Sequence, residues 1–126
     1  MSGLQAFRDQ RYISLETYRR SGQPVRTPVW FVEDAGRLYC YSEANAGKVK
    51  RIRNNPRVSL APSDSRGRVS DGAKWLQGRA RILPNTEAQR AHKLLLAKYG
   101  WQRRLLDIFW VLGGRKPRTA IEITLD

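Results

Sequence analysis

The sequence predicts an antiparallel α+β domain of six strands with one short and two longer helical inserts. Three observations carry this. The β-patterned segments follow one another too closely for repeated βαβ crossovers, so they pair antiparallel. Helical spacing of apolar residues is confined to the three inserts. Finally, 126 residues with 40% apolar content support one core and leave no room for a second, so residues 1–126 read as a single domain. Closing the sheet into a barrel would also remove its exposed edges.

Each element has its own signal. Residues 1–10 read as a short arm or helical turn. Arg11 to Tyr18 carries the β-formers Tyr12, Ile13, Thr17 and Tyr18, and Ser21-Gly22-Gln23-Pro24 supplies turn chemistry. Val25 to Glu33 places Val25, Thr27, Val29 and Phe31 on one face and Arg26, Pro28, Trp30 and Val32 on the other. Both faces carry apolar groups, so cover is expected on both. Asp34-Ala35-Gly36 closes a hairpin, with Gly36 suited to positive φ, and Arg37 to Ser42 returns. A short helix runs from Gly47 to Asn54, stopped by Asn55-Pro56, and Arg57 to Ala61 is the next strand.

Pro62 to Ala73 is a polar loop. Trp75 to Leu83 is a strand in which Gly78 marks a bulge or the close approach of another backbone. Pro84-Asn85-Thr86 opens the longest helix, with Thr86 and Gln89 at capping-box spacing and a stripe of Ala88, Ala91, Leu94 and Leu95. Gly100 stops it. A second amphipathic helix carries Leu105, Leu106, Ile108, Phe109 and Leu112, and Thr119 to Leu125 is the last strand.

Composition narrows the function classes. No apolar run approaches the roughly 18 residues that span a bilayer, and the N-terminus has no signal-peptide pattern. A lone Cys40 and a single His92 give neither a disulfide nor a metal-ligand set, so the expected setting is reducing and cytoplasmic, with no metal and no membrane. The net charge is +13, and its excess is concentrated: residues 48–81 hold ten Lys/Arg against two Asp/Glu. Such a focus attracts anions, whether nucleic acid, a polyanionic cofactor or a membrane surface.

The sharpest feature is Gly47-Lys48-Val49-Lys50-Arg51-Ile52-Arg53. Val49 and Ile52 face the core, while Lys48 and Arg51 form one basic ridge. Cations in a first helical turn oppose the helix dipole, and they make sense there when an anion is expected. Gly47 allows close backbone approach, and Ser42 or Asn45 offers a further hydrogen bond. A solvated basic face on a surface helix is the competing reading, against which stands the lack of any acid between Ala44 and Ser63. Pro28, inside a strand, belongs at an edge or where something other than a strand lies alongside. A planar ligand walled by Trp30 or Trp75 fits that position, as does an edge strand with core aromatics. No catalytic triad, paired-carboxylate motif, Walker loop or GxGxxG is present, and no catalytic side chain is assigned. An enzyme of this composition relies on a cofactor for its chemistry.

With these residues in view, the chain resembles the pyridoxamine-phosphate-oxidase-like split-barrel flavin and deazaflavin oxidoreductases, most of all the small members dependent on coenzyme F420. The resemblance runs through Tyr12-Ile13-Ser14-Leu15, Thr27-Pro28-Val29-Trp30-Phe31, Gly47 to Arg53, Asn55-Pro56-Arg57-Val58, Ala61-Pro62, Arg66-Gly67-Arg68-Val69 and Gly78-Arg79-Ala80. It implies a six-stranded split β-barrel that forms a homodimer, with two cofactor sites at the interface. On that resemblance Lys48 and Arg51 hold the cofactor phosphate, assisted by Ser42. Thr27, Pro28, Val29 and Trp30 line the ring, Pro62 borders it, and Trp75 walls it from the partner. Ser63 stands where similar sequences often have Cys. Relatives use F420, FMN or haem; the basic surplus suits F420, whose phosphodiester carries an acidic tail, with FMN as the alternative. The expected function is hydride transfer between reduced deazaflavin and a small organic substrate. An FMN-dependent reductase or oxidase, a cofactor carrier and a nucleic-acid-binding module without sequence specificity are the other readings.

Overall fold

The computed structural model describes Phe7, residues 10–98 and residues 118–126. Most of the expected N-terminal arm, Gly100 and the expected helix over Leu105–Leu112 lie outside the described residues. The order is β1 (Tyr12–Tyr18), β2 (Pro24–Asp34), β3 (Arg37–Glu43), α1 (Gly47–Asn54), β4 (Arg57–Ser63), β5 (Leu76–Ile82), α2 (Asn85–Lys98) and β6 (Arg118–Leu125). The strands close a barrel in the order β1-β2-β3-β6-β5-β4, and every pairing is antiparallel.

Period-2 alternation decides what the barrel encloses. Ile13 and Leu15 of β1, Val29 and Phe31 of β2, Leu38 and Cys40 of β3, Val58 and Leu60 of β4, Ala80 of β5 and Ile121 and Ile123 of β6 form one buried cluster with Ile52 of α1. A second cluster lies on the outer wall. There Val32, Tyr39 and Ala120 pack under Ala88, Ala91 and Leu95 of α2, with Trp30 and Tyr41 partly buried beside them. The two-faced apolar character of β2 is thus satisfied within one chain around Trp30 and Val32, because α2 supplies the second cover.

Two glycines act as expected. The β2–β3 hairpin turns through Ala35 (φ 52°) and Gly36 (φ 81°), the double positive φ of a two-residue turn closed by the Asp34–Arg37 pair. At Gly78 a Cβ would stand 2.8 Å from the Thr124 carbonyl oxygen, so the glycine records a close approach of β6. The capping box does not form: α2 begins at Asn85, which places Thr86 inside the helix, and Ala88 N–H donates to Pro84 O (2.9 Å).

Candidate functional site

The barrel is not evenly laced. β3 pairs with β2 only from Phe31 to Asp34, and its remaining length pairs with β6. From Pro24 to Trp30, β2 therefore has β1 on one side and, among the described residues, no strand on the other. Pro28 lies on this stretch, opposite Ser14 of β1 and with one side of its strand unpaired, in keeping with an edge placement.

α1 follows β3 directly and buries Val49 and Ile52. Its start is bare: the N-cap is Ala46, no side chain caps it, and its first turn holds no acid. A helix start of this kind presents unsatisfied N–H groups and partial positive charge, and the residues added to it are cationic. Lys48 is half-buried beside Cys40, Glu43 and Arg51; burial lowers its ammonium below the usual lysine value and Arg51 lowers it further, against Cys40 and Glu43. Arg51 donates from Nε to Thr17 Oγ1 of β1 (2.7 Å), and its terminal nitrogens lie over Gly47, where an added Cβ would stand 2.8 Å from one of them. Burial lowers the Arg51 guanidinium from its ordinary value, and the charge of Arg19 adds to this.

Glu43 is the acid near Lys48. Among the described residues Glu16, Asp34, Asp64, Glu87, Glu122 and Asp126 pair with Arg26, Arg37, Arg57, Arg68, Arg81 and Arg90. None of those pairs includes Arg19, Lys48 or Arg51. Lys48 and Arg51, both partly buried and adjacent, favour an anion between them.

Of the residues singled out from sequence, the structure brings Lys48 and Arg51 together, with Ser42 on β3 between Cys40 and Glu43, the two neighbours of Lys48. Ser42 is 2% exposed, and its hydroxyl donates to Glu43 O (3.0 Å). Val29 belongs to the barrel interior. Thr27 Oγ1 is buried without a hydrogen-bond partner, an orphaned polar atom on the stretch of β2 that β3 leaves unpaired. Pro28 is approached by Gly67, whose added Cβ would meet the Pro28 ring at 3.2 Å. Trp30 sits in the cluster under α2, its ring 6.4 Å from that of Tyr12.

Trp75 lies beneath Arg26, 4.4 Å from ring centre to guanidinium, and Arg26 is held by Glu16 (2.7 Å). Pro62 pairs with Ile13, at the opposite end of β1 from Thr17 and so about 13 Å from the Arg51 anchor. An open groove of about 490 Å³ along α1 and β5, with Arg53, Arg81 and Pro84 at its lining, contains none of these residues.

Cys40 and His92 are structural. The Cys40 thiol is buried, and burial pushes it up to about 12. His92 Nε2 lies 3.1 Å from Thr119 O, with its ring against Tyr41. No group of three or more His, Cys, Asp or Glu among the described residues is arranged to hold a metal ion.

A closed six-stranded antiparallel barrel with a helical insert between β3 and β4 defines the split-barrel class. Within it the chain belongs to the pyridoxamine 5'-phosphate oxidase family, whose model matches residues 3–126. A search of curated proteins returns no match. Among solved structures it is similar to a conserved hypothetical protein from Mycobacterium tuberculosis (TM-score 0.71, 21% identity, 99% of this chain and 81% of that one). It is also similar to a FAD-binding protein from Mesorhizobium loti (0.67, 20%, 100% and 89%) and to HutZ, the haem storage protein of Vibrio cholerae (0.67, 14%, 97% and 86%). At these identities the likeness is one of fold. No described helix is long and apolar enough to cross a membrane.

Proposed function

We propose that this protein is an oxidoreductase that binds a phosphate-bearing flavin or deazaflavin, with coenzyme F420 as the cofactor its charge favours and FMN as the alternative. The observation that carries this reading is the pair Lys48 and Arg51 at the uncapped start of α1, in no ion pair within the described chain and set by Thr17 and Gly47. Lys48 and Arg51 would hold the phosphate, and the unpaired stretch of β2 with its orphaned Thr27 hydroxyl would face the ring. The bound cofactor supplies hydride chemistry; the chain binds, orients and excludes water. A haem-binding reading is less well supported, because the chain's single histidine, His92, is packed against Thr119 O and Tyr41.

Pro62 pairs with Ile13 at the far end of β1 from Thr17, and Trp75 lies under Arg26. Their part in the site belongs to a homodimer in which a twofold axis brings them to the partner's anion site. Sedimentation tests that arrangement: a dimer that cofactor tightens supports it, and a monomer that binds cofactor tightly at micromolar concentration refutes it. For the cofactor reading itself, Lys48→Ala should weaken F420 or FMN binding about ten- to a hundredfold, the value of one charge-assisted hydrogen bond. Unchanged affinity in both Lys48→Ala and Arg51→Ala would refute it.

A further inference from the structure

We infer that the turn Asp64 to Arg68, which follows β4, selects the substrate: Arg66 binds it, and its class is a small planar organic acid whose carboxylate pairs with that guanidinium. The inference rests on the flavin or deazaflavin reading above and deepens it, since it names the class of molecule that meets the cofactor. The turn is built around one acid. Asp64 Oδ1 accepts from the backbone N–H groups of Arg66 (2.9 Å) and Arg68 (2.9 Å), and Oδ2 accepts from Arg68 Nε (2.8 Å). The Asp64 backbone closes the turn, donating to Arg68 O (3.1 Å) and accepting from Gly67 N–H (3.0 Å). These bonds hold the tip in place.

The turn is seated on the strand that would face the ring. Gly67, at φ 83°, comes so close to Pro28 that an added Cβ would stand 3.2 Å from the proline ring. Pro28 belongs to the stretch of β2 that has β1 on one side and, among the described residues, no strand on the other. Arg66 precedes Gly67, with about 3.8 Å between their Cα atoms, so the contact sets Arg66 at the rim of that stretch.

The two arginines of the turn then differ in what they have left to bind. Arg68 is held by Asp64, whereas Arg66 is exposed and in no ion pair among the described residues. A guanidinium on a fixed turn presents a planar fork of donors, which matches a carboxylate through two parallel bonds. Next to Pro28, the Thr27 hydroxyl is buried without a partner and offers a further donor. An ionised carboxylate only accepts hydrogen bonds and suits both groups; an amide of the same shape brings donors of its own and no charge.

The test uses the full chain saturated with F420 or FMN and two probes of one shape, benzoate and benzamide, each titrated while cofactor absorbance is followed. Benzoate should bind about tenfold more tightly than benzamide, and Arg66→Ala should remove that preference while changing cofactor affinity less than about twofold. Arg66→Lys should keep part of the preference. A parent that binds cofactor without preferring benzoate, a preference that survives Arg66→Ala, or cofactor binding that Arg66→Ala weakens would each overturn the inference and leave the cofactor reading standing. A parent that binds neither cofactor refutes that reading, and this inference with it.

Discussion

Substituting Gly47 by alanine tests how the anion site is built without removing a charge. The new Cβ would lie 2.8 Å from a terminal nitrogen of Arg51 and 3.7 Å from its central carbon. The obstacle is the far end of a flexible side chain, so the guanidinium gives way rather than the helix. That movement strains the 2.7 Å bond from Arg51 Nε to Thr17 Oγ1, a loss on the order of 0.5–1.5 kcal/mol. Against it, alanine is favoured over glycine in a helix by up to about 1 kcal/mol. The two nearly cancel, and a melting temperature within about 4 °C of the parent is expected. Affinity has no such compensation. A displaced guanidinium forfeits much of a charge-assisted contact of about 1.5–3 kcal/mol, so F420 or FMN should bind about tenfold more weakly. Thermal melts without ligand and equilibrium titrations on the same protein measure both. Full affinity in Gly47→Ala, alongside a loss in Arg51→Ala, would show that the position of the guanidinium does not matter. A collapse in melting temperature would show that Gly47 serves the fold instead.

Two other outcomes follow from the same structure. Burial lowers the Lys98 amine to about 8 from 10.5 and pushes the Cys40 thiol up to about 12 from 9.0. Above pH 8 the unfolded chain holds a proton that folded Lys98 has lost, so stability rises; above pH 9 folded Cys40 keeps a proton that the unfolded thiol releases, which opposes the rise. Urea melts should therefore show a gain from pH 8 to 9 that Lys98→Met abolishes; a gain that survives in the variant would contradict this. DNA and RNA should bind weakly and without sequence preference, with affinity falling steeply between low and physiological salt. Selective binding that survives physiological salt, measured by anisotropy, would favour a nucleic-acid module.

The helix that matters most could be read from its residues. Gly47-Lys48-Val49-Lys50-Arg51-Ile52-Arg53 combines core-facing Val49 and Ile52 with an acid-free basic ridge, and α1 has the bounds that pattern implies. The hairpin at Ala35-Gly36 and the close approach at Gly78 were equally local signals. What escaped was the set of contacts made across the barrel. Thr17 continues the inward alternation of Ile13 and Leu15, but nothing in β1 says that Arg51, thirty-four residues later, will seek its hydroxyl. Trp75 was read as a ring wall from the planar-ligand reading of β2 and from the resemblance; that Arg26 would lie over its ring was not legible in either. Nor did the pattern of β2 reveal that α2 would cover Trp30 and Val32, because helix-to-sheet docking depends on three-dimensional closure.

The central claim is that the bare start of α1 is a phosphate site for a redox cofactor. It is tested most directly by titrating the purified protein with F420 and, separately, with FMN, following cofactor absorbance and fluorescence, and repeating both with Lys48→Ala. The account predicts saturable binding of at least one of them, one per chain, weakened about tenfold or more by the substitution. No saturable binding of either cofactor, or binding that Lys48→Ala leaves intact, would contradict it.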